Sequence, residues 1–161
     1  MTREDRIEYL VKSLELNPHP EGGFYKETYR SVEKANTPAG ERSLCTVIYF
    51  LLTSENVSKF HQIKSDEHWF WHEGSTLSIH LLEKNEHRVL KLGAIGNENT
   101  FPQHVVPAHT IFGSTVDEKN SYALVSCVVA PGFDFEDFKL FSSEELLKNF
   151  PSSQRIIEQL T

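Results

Sequence analysis

The stretch that decides the fold is "FHQIKSDEHWFWHEG", residues 60–74, which holds three of the eight histidines and both tryptophans of the chain. From residue 66 onward it follows a period of two, the period of a β-strand. Glu67, Trp69 and Trp71 then share one face, and His68 and His72 lie on the other. The stretch therefore predicts a strand with a carboxylate and two indole rings on the same side.

Other runs with a period of two flank this stretch. Arg42–Thr53 is apolar on both faces, which predicts a buried central strand. Turn-forming residues separate the later runs, for example at Gly96–Asn99. Many short strands with this spacing are typical of a sandwich or barrel. The further predicted strands are Thr76–Leu81, Arg88–Leu92, His104–Val106, Thr110–Val116 and Tyr122–Val129.

Both ends of the chain have helical spacing. Residues 3–15 carry apolar side chains on one helical face after a threonine that can cap the helix. Near the C-terminus, Ser142/Ser143 and Ser152/Ser153 can each cap a further short helix. A chain of 161 residues is long enough for one well-packed domain. We predict a single domain, residues 1–161, mainly β, with an N-terminal helix and C-terminal helices.

Composition excludes several classes of partner. The formal net charge of −7, without a basic run, argues against nucleic acid. No apolar stretch approaches the roughly 18 residues that a membrane helix needs. The start, MTREDRIEYL, lacks the apolar region of a secretory signal. Cys45 and Cys127 each lie in an apolar run, which favours buried free thiols and a cytoplasmic location.

Residues 60–74 resemble the first motif of the cupin superfamily, which reads His-x-His, three or four residues, Glu, six residues, Gly. Glu67 and Gly74 match its end, and His61 holds the place of the first histidine. Longer segments resemble one branch, the DUF985 or Cupin_5 group: Asn17–Arg30, Ile48–Leu52, Phe60-His61 with Ser65–Trp69, Val106–Ala108 and Ala130–Phe138. The resemblance implies a double-stranded β-helix, that is, a cupin jelly-roll barrel with a ligand-sized interior, paired as a dimer.

The sequence departs from the metal-binding pattern of the cupins. Ile63 stands where the second histidine of the first motif belongs, and Phe112 replaces the histidine of the second motif. His61 and Glu67 alone do not make a cage for a transition metal, which normally needs three or more donors. We therefore predict no metal and no cofactor. Other histidines that could fill the gaps are His68, His72, His80, His104 and His109.

Three residues are candidates for catalysis. Glu67 beside two indole rings would be partly desolvated, which raises the pKa of a carboxylate; an ion pair of purely structural role is the alternative. His61 is a candidate general base, or else a structural histidine. Tyr25 is the candidate acid, although Tyr29 or Tyr49 could take its place.

The candidate ligand-binding residues share a predicted position on the inside of the barrel. The indole rings can stack on a planar or sugar ligand, although one of them could instead fill the core, and a phenylalanine would make the pocket floor apolar. Arg30 could bind an anionic group, although strict alternation along Phe24–Arg30 puts it on the face opposite Tyr25. The candidates are His61, Glu67, Trp69, Trp71, Arg30 and Phe112.

Two loop segments carry no predicted function. Pro18–Gly23 resembles a phosphate loop only superficially, because no helix pattern follows it and Glu21 would repel an anion. We interpret it as a stiff turn. Ala130–Phe138 reads as a strand end and turn whose phenylalanines seal one mouth of the barrel, a structural role.

Three functions compete at this point. The first is a binding module that holds a small molecule in the barrel without metal, and the second is a metal-independent isomerase or epimerase acting on a sugar-like or other small metabolite. A metal-dependent oxygenase is disfavoured by Ile63 and Phe112. The apolar Arg42–Thr53 strand and the His68/Phe70/His72 face favour a homodimer. The predicted partners are therefore a small-molecule ligand and a second copy of the chain.

Overall fold

The computed structural model describes residues 1–96 and 99–161. Its helices are α1 Arg3–Ser13, α2 Ser143–Asn149 and α3 Gln154–Gln159. The strands are β1 Asn17–Pro18, β2 Phe24–Arg30, β3 Lys34–Thr37, β4 Gly40–Ser43, β5 Thr46–Thr53, β6 Ser58–Gln62, β7 Asp66–Gly74, β8 Leu77–Glu83, β9 Glu86–Leu92, β10 Thr100–Phe101, β11 Gln103–Val106, β12 Ile111–Val116, β13 Tyr122–Ala130 and β14 Lys139–Leu140.

The strands form two facing sheets. The first sheet has the order β1-β2-β5-β13-β7-β11, and the second has the order β10-β9-β8-β12-β6-β14. A small hairpin of β3 and β4 stands apart from both. Neighbours pair antiparallel, apart from β10 with β9. The arrangement confirms the predicted fold: a mainly β, cupin-like jelly-roll barrel with an N-terminal helix and C-terminal helices.

The hydrophobic core lies between the two sheets. Alternate residues of β8 point inward, so that Leu77, Ile79 and Leu81 are completely buried. Phe50 and Val125 meet them from the first sheet. Inward side chains therefore fill most of the barrel and leave an open space in one part of it, described below.

The helices cover the outer faces of the sheets. Leu10 on α1 packs against Leu51 and Leu124 of the first sheet. Leu146 and Ile157, on α2 and α3, pack against the second sheet. Within the described part of the chain, the helices are all too short or too polar to cross a membrane.

The predicted strand Arg42–Thr53 is wrong in one respect, because the chain breaks it in two. β4 ends at Ser43 and β5 begins at Thr46, so that Leu44 is 44% exposed. The backbone N–H of Leu44 donates to the carbonyl of Glu33, which draws this corner toward the β3–β4 hairpin. β5 itself is the predicted central strand, with β2 and β13 on its two sides. The turn predicted at Gly96–Asn99 includes residues 97 and 98, which lie outside the described residues.

Candidate functional site

An interior cavity of about 420 Å³ lies between the two sheets. Most of its wall is the inner face of the first sheet, while His61 comes from β6 of the second. Loops before β2 and after β13 close the remainder. The lining residues are His19, Glu21, Tyr25, Glu27, Arg30, Thr46, Ile48, Phe50, His61, Ile63, Glu67, Trp69, Cys127, Val129, Phe133, Asp134, Phe135 and Phe138.

The loop between β1 and β2 brings Glu21 into the cavity. Gly22 follows it with a φ of +110°, and a Cβ at that position would come within 2.1 Å of the carbonyl oxygen of Val57. Only glycine allows so close an approach of two backbone segments. The Glu21 carbonyl also accepts a hydrogen bond from Lys59 N at 3.2 Å, which ties the loop to β6. The chain thereby places a carboxylate next to the strand that carries His61.

The Lys59 carbonyl and the Glu21 carboxylate both lie against the imidazole of His61. The Nδ1 atom of His61 lies 2.7 Å from the Glu21 Oε2 atom and 2.7 Å from the Lys59 carbonyl oxygen. Both neighbours are acceptors, so Nδ1 carries the hydrogen. That N–H is directed to the carbonyl, and Glu21 Oε2 makes a charge contact without hydrogen-bond geometry. Nε2 is therefore the nitrogen of His61 that remains to exchange a proton.

The buried His61 has a raised pKa. Burial lowers the pKa of this imidazole, but the negative charges of Glu21 and Glu67 outweigh burial and raise it to about 8. The two carboxylates therefore favour the imidazolium form of the side chain. It is 4% exposed, so its charge depends on these two carboxylates rather than on water.

We expect the pKa of His61 to fall by about one unit or more in Glu21→Gln, because the amide removes the main opposing charge and leaves the desolvation. Nitrogen-15 NMR titration of the imidazoles measures this directly. Glu27→Gln is the matched control, since Glu27 lines the same cavity but is paired with Arg30. Equal titration of His61 in wild type and Glu21→Gln would show that the contact does not control its charge.

Glu67 faces His61 from the opposite sheet. It lies on β7, is 8% exposed, and burial raises its pKa to about 7, with the attraction of His61 acting in the other direction. The site thus contains an acid and a base that both titrate near neutrality, the range in which proton transfer is efficient. In free solution an imidazole also titrates near neutrality, whereas a glutamate carboxyl titrates well below it.

Trp69 and Cys127 complete the wall beside Glu67. The two residues are directly opposite each other on β7 and β13. The indole N–H of Trp69 is near enough to Glu67 to oppose the rise of the carboxyl pKa, yet its geometry is not that of a hydrogen bond, and Nε1 has no partner among the described residues. Burial raises the pKa of the Cys127 thiol, so this group stays neutral.

His19 forms a second, neutral imidazole in the cavity. Its Nδ1 accepts the backbone N–H of Glu21 at 3.2 Å, and burial lowers its pKa. The ring packs edge-on against Tyr25, with centroids 4.6 Å apart. His19 therefore supports the loop and Tyr25 without adding charge to the site.

The mouth of the cavity holds an ion pair and an aromatic cluster. Arg30 donates to both carboxylate oxygens of Glu27, at 2.6 and 3.2 Å, and to the carbonyl of Phe133 at 3.0 Å. Phe133, Phe135 and Phe138 lie against one another edge to face. These phenylalanines line the cavity, so the segment predicted as purely structural also shapes the site.

The prediction from strict alternation, that Arg30 lies on the face of β2 opposite Tyr25, is wrong. The register between β2 and β5 shifts between Glu27 and Tyr29, as expected of a β-bulge. The extra residue returns Arg30 to the side of Tyr25 and leaves Tyr29 53% exposed. Both Tyr25 and Arg30 consequently line the cavity.

The structure brings together five of the predicted site residues and leaves two aside. The five that line the cavity are His61, Glu67, Trp69, Tyr25 and Arg30. Trp71 shares the inward face of β7 but lies beyond the cavity, packed in the core with its indole N–H on the Ser75 carbonyl. Phe112 lies behind the wall, where its ring packs 4.2 Å from that of His61.

Sequence reasoning did not select Glu21 and His19. The signal was present, since two titratable residues stand immediately before a Gly-Gly pair in the most distinctive segment of the chain. The interpretation as a stiff turn considered only the local backbone. The local backbone does not indicate that the turn lies against β6, because that contact joins residues about forty positions apart in sequence.

The donor set does not fit a transition-metal ion. His61 and Glu67 hold two motif positions, but Ile63 brings a side chain without donor atoms to the wall, and Phe112 offers a ring. Across residues 1–96 and 99–161, no three or more histidine, cysteine, aspartate or glutamate side chains are grouped to hold a metal. The histidines considered as substitutes do not line the cavity: His68, His72, His80, His104 and His109. We derive no chemistry through a metal.

Comparison with known families decides the classification. Residues 8–141 match the family Cupin_5, described as "Cupin superfamily (DUF985)". The chain belongs to the Cupin_5 family. The match covers the segment from α1 to the mouth of the cavity, so it includes every residue of the wall described above.

Relatives of this Cupin_5 chain occur in distant organisms. It is 30% identical to a Saccharomyces cerevisiae protein described as "Uncharacterized protein YML079W", over 94% of this chain and 83% of the relative. A hypothetical protein from Leishmania major is 37% identical, with a TM-score of 0.90 over 96% of this chain and 97% of that one. A Shewanella oneidensis protein is 40% identical, with a TM-score of 0.88 over 100% and 98% of the two chains.

One more distant structure supports the fold alone. A cupin 2 domain-containing protein from Halorhodospira halophila has a TM-score of 0.58 at 12% identity, over 90% of this chain and 86% of that one. At this identity the barrel is shared, whereas the chemistry of the interior is not implied.

Proposed function

We propose that this Cupin_5 protein binds a small molecule in the interior of its barrel. The observation that carries the proposal is the cavity of about 420 Å³ into which two buried carboxylates and an imidazole project. A core that served stability alone would fill such a space with apolar side chains, because burying charge is unfavourable. The volume falls in the range of small-molecule sites.

Filling the cavity tests the proposal. Ile48→Trp enlarges a side chain of the wall, and Val89→Trp is the control, since Val89 is an exposed valine of the other sheet. Each purified protein is denatured, and the released small molecules are identified by mass spectrometry. We expect the same compound from wild type and Val89→Trp and none from Ile48→Trp. Equal release from all three would place binding outside the cavity.

A second candidate, a metal-independent isomerase or epimerase, is favoured by the contact of Glu21 with Nδ1 of His61. The Lys59 carbonyl holds the Nδ1 hydrogen, the carboxylate beside it favours the protonated ring, and the other nitrogen is left to exchange protons, as acid–base catalysis requires. In this scheme Glu67 abstracts a proton from carbon, His61 donates one, and Tyr25 is a further acid in the wall.

Hydrogen exchange with solvent distinguishes this enzyme from a binding module. The compound released above is incubated with the protein in deuterium oxide. Incorporation of deuterium at carbon that is lost in Glu67→Gln supports the isomerase. Retention of every carbon-bound hydrogen with wild type, under conditions where the compound binds, supports the binding module instead.

Homodimer formation is also part of the proposal. α1 covers only a part of the outer face of the first sheet, and Val105 on that sheet is 44% exposed. Phe70 is half-buried on the same face, paired across the strands with Ser126. A second copy can cover such a surface.

We expect sedimentation to give a dimer of the 18.5 kDa chain at micromolar concentration. Phe70→Glu should shift it to monomer, because the charge would be desolvated at the contact. Glu86→Gln, on the β8–β9 turn of the other sheet, should leave it dimeric. A wild-type protein that is monomeric throughout would contradict the prediction.

We expect protein purified from its host to carry no stoichiometric transition metal, because Ile63 and Phe112 lack donor atoms. Inductively coupled plasma mass spectrometry measures this. Near-equimolar iron, manganese, nickel or zinc that disappears in His61→Ala would overturn it.

Two broader expectations accompany the proposal. A cytoplasmic location is supported by the two free thiols, of which Cys127 is buried, since unpaired cysteines are typical of reducing compartments. A single domain over residues 1–161 is supported by the way α2 and α3 pack on the same barrel as α1.

A further inference from the structure

We infer that the cavity takes an amine with one positive charge and an apolar or aromatic body, an inference that rests on the barrel interior being the ligand site. Three features of the wall support the inference. They are the excess of negative charge, the aromatic surface, and the hydrogen bonds that Arg30 already makes at the mouth.

The charges of the wall do not balance. The acidic residues of the wall are Glu21, Glu27, Glu67 and Asp134. Against them, the wall contains Arg30 as its one lysine or arginine among the described residues, together with His61. Arg30 is paired with Glu27, and His61 lies in direct contact with Glu21. In the described part of the chain, Glu67 and Asp134 are left without a cation of their own. Asp134 is only half-buried and accepts a hydrogen bond from Glu136 N, whereas Glu67 is buried.

Glu67 is also the carboxylate that most needs one. It is 8% exposed, and among the described residues it takes part in no ion pair shorter than 4 Å with lysine, arginine or histidine. Burial accordingly disfavours its ionised form. A ligand ammonium group beside it would supply the missing charge, since a buried carboxylate is stable when paired.

Aromatic rings make up much of the remaining surface. They are Tyr25, Phe50, Trp69, Phe133, Phe135 and Phe138. A cation is attracted to the faces of such rings, most strongly where water is excluded. Carboxylates combined with an aromatic surface suit an ammonium group, which can pair with a carboxylate and lie against the rings.

An anionic ligand is disfavoured by the same geometry. A phosphate or carboxylate would meet Glu21 and Glu67 inside and Asp134 at the mouth. Arg30, which the sequence suggested as an anion site, already donates to Glu27 and to the Phe133 carbonyl. These contacts use three of the five N–H donors of Arg30, and Glu27 already offsets its charge.

Three probes of similar size and different charge test the inference: phenethylamine, phenethyl alcohol and phenylacetate. Binding to the full-length protein, freed of co-purified compounds, is measured by isothermal titration calorimetry at neutral pH. We expect the amine to bind at least about tenfold more tightly than the alcohol, and the carboxylate to bind most weakly.

Glu67→Gln, which keeps the shape and removes the charge, should abolish the preference for the amine while the alcohol still binds. Glu73→Gln is the matched control, because Glu73 lies on the same strand outside the cavity and is paired with Arg6. It should leave all three affinities unchanged.

The outcomes separate the inference from the proposed function. If the alcohol or phenylacetate binds wild type as tightly as the amine, and Ile48→Trp abolishes that binding, the cavity is a ligand site and the charge inference is wrong. If the amine preference persists in Glu67→Gln, the assignment to Glu67 is wrong. If no probe binds at millimolar concentration, the charge inference is overturned. The proposed function then depends on the release experiment alone, that is, on a compound that wild type releases and Ile48→Trp does not.

Discussion

Gly22→Ala is expected to lower the free energy of unfolding by about 3 kcal/mol or more, the combined effect of backbone strain and overlap. At a φ of +110° any other residue is strained, and the new Cβ would lie 2.1 Å from the carbonyl oxygen of Val57. Because the opposing atom belongs to the backbone, no change of rotamer relieves the overlap. The loop must move, and Glu21 must move with it.

Gly96→Ala separates the two contributions. Gly96 has a nearly equal φ of +116°, but among the described residues other than its chain neighbours no atom would lie within 4 Å of a Cβ there. The free energy of unfolding of Gly96→Ala should therefore fall by about 1 kcal/mol, the cost of conformational strain alone. Urea denaturation of both variants measures the difference, and NMR titration should show a changed pKa for His61 in Gly22→Ala alone. Equal destabilisation of the two variants would mean that the close approach to Val57 does not matter.

Glu67→Gln is expected to stabilise the protein at about pH 8, by roughly 2 kcal/mol, and to change stability little at about pH 5. The folded pKa of about 7 exceeds the ordinary value of 4.5 by 7 − 4.5 = 2.5 units. A raised pKa means that the folded state holds its proton more tightly. The contribution is thus fully present below about pH 4.5 and is lost as the pH rises through about 7.

The shift of 2.5 units already includes the attraction of His61. Relaxation of the barrel around the ionised carboxylate keeps the expected gain below the value of about 1.4 kcal/mol for each unit. Chemical denaturation at several pH values measures it. Glu73→Gln provides a contrast of opposite sign: its pairing with Arg6 lowers the pKa of that carboxyl, so removing it should destabilise the protein at neutral pH. A Glu67→Gln variant less stable than wild type at about pH 8 would show that the carboxylate is structural.

Much of β7 could be predicted from sequence because its pattern is local. Alternation placed Glu67 and Trp69 on the inward face, and the motif spacing placed His61 in the same site. Whether a side chain of β7 points inward follows from its odd or even position along the strand. Whether it lines the cavity depends on how much of the interior other side chains have already filled. Trp71 has the correct parity, but the core has already closed around it. The sequence contains no measure of where the filled core stops.

Other features depend on contacts that no local pattern specifies. The bulge in β2 shifts Arg30 by one residue relative to β5, and a single extra residue reverses every later orientation. The role of Glu21 requires pairing between its loop and Lys59. The motif shows that Phe112 replaces a metal ligand. It does not show that the ring of Phe112 packs against His61.

The position of His61 on one sheet and of Glu67 on the other has a mechanical consequence. Glu67 raises the pKa of His61, and His61 lowers the pKa of Glu67, so the spacing of the two sheets affects both groups. A breathing motion that parts the walls would admit water and return both groups toward their ordinary values before any strand is lost. The protonation of the two groups therefore depends on how closely the two sheets approach each other.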